Sequence, residues 1–246
     1  MRELTLDKKK RPKGPANNSR AEREFGRGLR MLGKNVGKLI TDIDPVANPD
    51  KVPSLIYMLR SYSVTITTWG ESIIKRMVDD VDSQNRQMWR SFSEEMSAAL
   101  QREILGTPTG ELFRKLMAEQ VTLVQSIPLE AAQRVHDLTI KGIEGGARAS
   151  EIAKAIMESG SVAESRAMLI ARTEVSRTSA LLTQARAEYV GSDGYVWRTS
   201  KDGDVRPSHR AMDGKLIKWN DPPTLDKMTG HAGCLPNCRC WMEVVL

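Results

Sequence analysis

Aromatic side chains are scarce in this sequence, 5% of 246 residues, and that argues against an all-β domain, whose strands draw on Tyr, Phe and Trp. Long apolar runs are missing too. No window approaches eighteen uninterrupted apolar residues, so no stretch reads as a membrane-spanning helix. The N-terminus is basic, but no apolar segment follows it as a secretory signal requires. Cysteine is limited to Cys234, Cys238 and Cys240. A clustered, odd set does not make a disulfide framework, and the expectation is a cytosolic chain. The P-loop, the dinucleotide glycine pattern, the G-x-S-x-G elbow and the H-E-x-x-H zinc motif are all absent. The expectation is therefore not an enzyme.

What is present divides by charge and by chemistry. The formal net charge is +6, yet residues 1–40 alone carry +8. Lys8, Lys9, Lys10, Arg11 and Lys13 sit among Pro12, Gly14 and Pro15, which points to an extended basic arm over residues 1–18. Such an arm suits an acidic partner: nucleic acid bound through phosphates without sequence preference, or an acidic protein surface. The competing reading is a solvated tail.

The middle of the chain reads as helix. A helix is expected over about 21–43, with Phe25, Leu29, Leu32, Val36 and Leu39 as its apolar stripe and Gly26, Gly28, Gly33 and Gly37 weakening it. After the Asp44–Asp50 turn, residues 56–105 read as one helix or as two joined near Trp69-Gly70. Ile74, Met77, Val81, Met88 and Phe92 mark the apolar side there, with Asp82 and Arg86 outside it. A helix over 111–125 follows, then another starting at Ile127-Pro128 and capped at Gly145-Gly146. The last helix, about 162–189, pairs a core side with a polar face of Arg172, Thr173, Glu174, Ser176, Arg177 and Ser179. That face reads as paired surface charge.

Beyond residue 190 the character changes. Strands are expected at Tyr195–Thr199, Lys215–Trp219 and Trp241–Val245, with Asp202-Gly203 as a hairpin turn. The fold class is thus mainly α with a small C-terminal α+β part, long helices followed by a short-stranded sheet. So small a sheet is marginal without a cross-link. Cys234, Cys238 and Cys240, in C-x3-C-x-C spacing, with His209 make a four-ligand set for structural zinc. His209 is preferred because it would tie separate strands together; His231 is the alternative. The competing reading is reduced cysteines filling a small core. His136, alone within a helix, is given no role.

Ala171-Arg172-Thr173-Glu174, Trp197-Arg198-Thr199, Arg206-Pro207-Ser208-His209-Arg210-Ala211-Met212-Asp213-Gly214-Lys215 and Pro236-Asn237-Cys238-Arg239-Cys240 together resemble the phage Mu F-like minor head protein family of tailed bacteriophages. The resemblance covers about residues 125–246; residues 1–120 resemble the helical, variable N-terminal region of such proteins only in general character. It implies a minor structural protein of the phage head, acting in capsid morphogenesis and present in few copies. The implied partners are the portal protein, other capsid proteins and, in some cases, packaged or ejected DNA. The implied location is the virion, with the host cytoplasm during assembly. His209 lies within the matched segment and His231 does not. Family members often place His before the Pro of the cysteine ending; this chain has Leu235 there, with Cys234 beside it. Two other classes compete: an effector enzyme delivered with phage DNA, and a zinc-stabilised nucleic-acid-binding regulator. Some head proteins of this kind are fused to toxin domains, and a chain closing at Leu246 is expected to leave no room for one. The regulator lacks a recognition-helix pattern beside the cysteines.

Overall fold

A computed structural model describes residues 16–93 and 98–246. The five arm residues Lys8, Lys9, Lys10, Arg11 and Lys13 lie outside the described residues. Eight α-helices are described: α1 (Ser19–Ile43), α2 (Val52–Thr65), α3 (Thr67–Ser93), α4 (Ala98–Leu105), α5 (Gly110–Glu144), α6 (Ala149–Met157), α7 (Ser159–Tyr189) and the one-turn α8 (Pro207–Arg210). Five short strands occupy the C-terminal part: β1 (Gly194–Arg198), β2 (Leu216–Lys218), β3 (Thr224–Leu225), β4 (Met228–Thr229) and β5 (Trp241–Val245). The fold is mainly α with a small C-terminal antiparallel sheet. No helix among the described residues is long and apolar enough to cross a membrane.

The chain divides into two compact units. One takes in Arg23–Arg76 and Met117–Ala171 and is wholly helical. Its core holds Leu29, Leu32, Val36 and Ile40 of α1, Leu55 and Leu59 of α2, and Val124, Ile127 and Val135 of α5. The α1 stripe thus passes through Ile40 rather than Leu39. Helix α1 is unbroken despite its glycines, because two of them are where α7 comes closest. A Cβ on Gly33 would stand 2.7 Å from the Glu164 Cα, and one on Gly160 would stand 2.8 Å from the Gly37 Cα. Backbone meets backbone there, and the packing offsets the intrinsic cost of glycine.

Two expected helix boundaries fall elsewhere. The break between α2 and α3 is at Ile66, not at Trp69-Gly70. Val64, Thr65, Ile66, Thr67 and Thr68 are five consecutive β-branched residues, each losing χ1 freedom in a helix. Pro128 does not start a helix but lies inside α5. Val124, Ile127, Ala131 and Ala132 are buried around it, and that burial outweighs one missing backbone bond. The end of α5 is as expected. Gly146 has φ +65, Ala147 N–H bonds Gly142 O at 2.9 Å, and Gly146 N–H bonds Ile143 O at 3.2 Å, which is the Schellman pattern.

The other unit runs up to Glu22 and takes in Met77–Leu116 and Arg172–Leu246. Its sheet has the order β2-β1-β5, antiparallel throughout, with Tyr195 opposite Ile217 on one side and Val244 on the other. Asp202-Gly203 is not a tight hairpin turn: the β1–β2 connection is long enough to hold α8. A second ribbon, β3–β4, pairs Thr224 with Thr229. The aromatic residues scarce elsewhere concentrate here, where Trp89, Tyr195, Trp197 and Trp219 share one core with Cys238, Cys240, Met242 and Val244.

The polar residues of α3 and α7 in this unit are not all at the surface. Arg186 is fully buried, hydrogen-bonded to Asn85 Oδ1 and ion-paired with Asp82. Asn85 donates to Thr183 Oγ1 at 2.8 Å, and Asp82 also pairs with Arg86 at 2.7 Å. Asp82 was expected outside the apolar side; it is buried because two guanidinium groups neutralise it. Glu174, expected on a surface face, is also buried.

Candidate metal centre

Two segments, α8 and the loop that carries Cys238 and Cys240, converge on one point in the sheet-bearing unit. Pro207, whose fixed φ suits a first helical position, starts α8 and carries His209 inward. Asn237, with φ +53, turns the chain just before Cys238 and Cys240, which sit two apart on the loop leading into β5. Asp213 holds the other end of the α8 connection by accepting the Thr199 N–H at 2.9 Å. His209 Nδ1 lies 3.4 Å from Cys238 Sγ and 3.5 Å from Cys240 Sγ. All three side chains are buried, and their candidate ligand atoms lie within 4.8 Å of one another.

These distances fit a metal. Zinc–sulfur bonds of about 2.3 Å and zinc–nitrogen bonds of about 2.0–2.1 Å, at a tetrahedral angle, put S and N about 3.6 Å apart. The ring presents Nδ1 to both sulfurs, while Nε2 is buried without a hydrogen-bond partner among the described residues. Trp197 packs edge-on against the imidazole at 5.6 Å and fixes its plane. The thiols are electrostatically unequal. A hydrogen bond from Cys240 holds Cys238 well below the usual thiol range, and the same contact, with burial, pushes Cys240 up. A divalent cation bound there would release thiol protons, because the thiolate is the ligand. This buried His/Cys/Cys group can hold a metal ion.

The four expected ligands are thus not all brought together. His209, Cys238 and Cys240 meet; Cys234 is outside the group. Burial pushes the Cys234 thiol up to about 12, against the pull of Arg177. His231, the alternative ligand, has both ring nitrogens engaged: Nδ1 with the Tyr195 hydroxyl at 3.2 Å and Nε2 with Trp219 O at 3.1 Å. The same Tyr195 oxygen accepts the Ala232 N–H at 3.1 Å. This closed set assigns the proton of a neutral imidazole to Nε2. Burial holds His231 below the ordinary histidine value.

Two residues of the α7 polar face were given no role at the site from sequence. Thr173 Oγ1 accepts the Asn237 N–H at 3.0 Å, and the Ser176 hydroxyl donates to Cys238 O at 3.1 Å. They stand three apart on one face of α7, and that spacing was the available signal. The face read as paired surface charge is in part the seat of the cysteine loop. A cleft of about 780 Å³ runs beside it, lined by Ser176, Ser179 and Thr183 of α7 and by Asn237, Cys238 and Cys240. His209 is not among its lining residues.

Residues 133–243 match the family described as Phage Mu protein F like protein. An uncharacterized protein of Haemophilus influenzae is 32% identical over 182 residues, covering 73% of this chain and 40% of that protein. A protein of Enterococcus faecalis named NAD(+)–arginine ADP-ribosyltransferase EFV is 33% identical over 128 residues, covering 47% of this chain and 26% of that protein. Minor head protein GP7 of Bacillus phage SPP1 is 25% identical over 169 residues, covering 63% of this chain and 52% of that protein. This chain therefore spans about half or less of the length of each of these relatives. No solved structure matches it.

Proposed function

Because residues 133–243 carry a Mu F-like domain, we propose that this chain is a minor structural protein of a tailed-phage head, acting in capsid morphogenesis within the virion. The domain match carries the reading, and the SPP1 relative named as a minor head protein supports it. The proposed partners are the portal protein and other capsid proteins. The proposed DNA contacts are Lys8, Lys9, Lys10, Arg11 and Lys13, through phosphates and without sequence preference.

In this reading the metal centre is structural. His209, Cys238 and Cys240 would hold zinc, which supplies no chemistry beyond cross-linking α8 to the loop that leads into β5. Burial of all three side chains supports that role over catalysis. Counting protein copies in intact and DNA-emptied virions tests the main reading. A few copies per intact particle are expected, and absence from purified virions would remove it.

A second reading, an enzyme or effector carried with phage DNA, draws support from the Enterococcus faecalis relative, of which the match spans 26%. Transfer of labelled ADP-ribose from NAD(+) to arginine by the purified chain would establish it; no transfer would leave the structural reading.

A further inference from the structure

Helix α1 carries an ordered cationic ridge separate from both the N-terminal arm and the metal centre. Arg23, Arg27, Arg30 and Lys34 are all exposed, at spacings of four, three and four. At 3.6 residues per turn they fall within about 60° of the helix circumference and about 17 Å of its length. The opposite face is the apolar stripe from Phe25 to Ile40, so core packing points the ridge outward.

None of the four forms an ion pair with a described residue, whereas neighbouring charges on α1 are engaged. Lys38 pairs with Asp42 at 2.7 Å, and Glu22 lies 3.8 Å from Arg172. No acid and no aromatic side chain falls on the ridge itself. A helix face of ordinary solvated charge usually mixes signs at i,i+4. This one leaves four like charges uncompensated, and they repel one another unless a polyanion lies along them.

We infer that this ridge is a binding surface for the phosphate backbone of nucleic acid. A protein partner would be expected to meet aromatic or apolar anchors at the centre of its interface, and the ridge has none. Four cations in a row match a polymer with one negative charge per about 1.7 Å of duplex axis. The surface reads charge, not sequence, because side chains spaced for phosphates need not reach base edges. The inference deepens the DNA-contact part of the proposed function and rests on it for its biological setting.

The test is equilibrium binding of the full chain to a fluorescent mixed-sequence DNA duplex from 50 to 200 mM salt. Each phosphate contact contributes about −0.9 to the slope of log K against log salt. Arg27→Gln/Arg30→Gln/Lys34→Gln should therefore flatten the slope by about 2.7 and weaken binding at least tenfold at 100 mM salt. Circular dichroism should be unchanged, since all three side chains are exposed. Lys8→Gln/Lys9→Gln/Lys10→Gln, in a separate variant, measures the arm alone, and in that variant the ridge's share of the slope should persist. An unchanged slope in the α1 triple variant overturns the inference, as does failure of the wild-type chain to bind duplex at 50 mM salt. Wild-type binding to an acidic protein but not to DNA assigns the ridge to a protein partner and equally overturns it. Virion counting tests the head-protein reading separately, so either can fail alone.

Discussion

Ser176 on α7 donates its hydroxyl to the carbonyl of Cys238, 3.1 Å away and sixty-two positions later in the chain. The residue that offers its sulfur to His209 thus has its backbone fixed by a helix on the other side. Thr173, one turn earlier, holds the neighbouring Asn237 N–H. Loop position and ligand position are therefore set by different elements, and the two can be separated by mutation.

Ser176→Ala should cost about 1 kcal/mol, a typical net hydrogen bond, and Thr173→Ala/Ser176→Ala about 2–3 kcal/mol because two backbone groups lose partners. Denaturant unfolding reads the loss. Metal stoichiometry should not change, since His209, Cys238 and Cys240 are intact.

Elemental analysis of protein purified without chelator should find one zinc per chain. Cys238→Ser should abolish it and His209→Ala should weaken its retention. Cys234→Ser and His231→Ala should keep it, because Cys234 is outside the group and both nitrogens of His231 are taken. Metal loss on Cys234→Ser would restore the four-ligand set.

Gly33→Ala and Gly28→Ala should differ in sign although both lie in α1. At Gly28 the nearest atoms to an added Cβ are side-chain atoms 3.5 and 3.6 Å away, so the helix should gain up to about 1 kcal/mol. At Gly33 the Cβ would meet the Glu164 backbone at 2.7 Å, and overpacking should give a net loss of about 1–2 kcal/mol. Thermal denaturation of both variants compares them directly.

Asp82→Ala strands the Arg186 guanidinium in the interior and should cost about 3–5 kcal/mol. Adding Arg186→Met should recover a large part of that loss, because the unpaired charge is then gone. No recovery would mean that the packing of the arginine stem, not its charge, is what matters.

Stability should fall as pH drops below the ordinary histidine value of 6.5, in part through His231. Its folded value is lowered, chiefly by burial and against the pull of the Trp219 carbonyl. Between the folded and unfolded values, the unfolded chain binds a proton that the folded chain does not. The stabilisation is therefore complete above 6.5 and is lost as pH falls toward the folded value. Melting temperatures at pH 7.5 and 5.5 should show the drop, and His231→Gln should make it shallower. Tyr195→Phe, which leaves the Ala232 N–H without its acceptor, should cost about 1–3 kcal/mol at either pH.

The three sheet strands were legible because alternation and turn residues are local signals, and the same holds for the glycine cap of α5. Pro128 was misleading for the opposite reason: its helix is sustained by Val124, Ile127 and Ala131 packing in three dimensions. The glycines of α1 looked like weak points because nothing nearby in sequence announces that Glu164 and Gly160 will press against them. At the site, cysteine spacing and His209 were visible, but not which sulfur stands aside. Cys234 differs from Cys238 by its place on a turn, which a pattern of residue types does not encode. The ties from Thr173 and Ser176 span more than sixty residues and arise only from the fold.

The strand order has a consequence for how the protein is made. β1 lies between β2 and β5, and its second neighbour is synthesised more than forty residues after it. Until Trp241–Val245 has left the ribosome, Tyr195 and Trp197 can rely only on a two-stranded ribbon, which is marginal by itself. A nonsense codon or proteolytic nick anywhere between Trp219 and Trp241 would therefore expose the aromatic core rather than trim a tail. Such a product should be seized by chaperones or degraded.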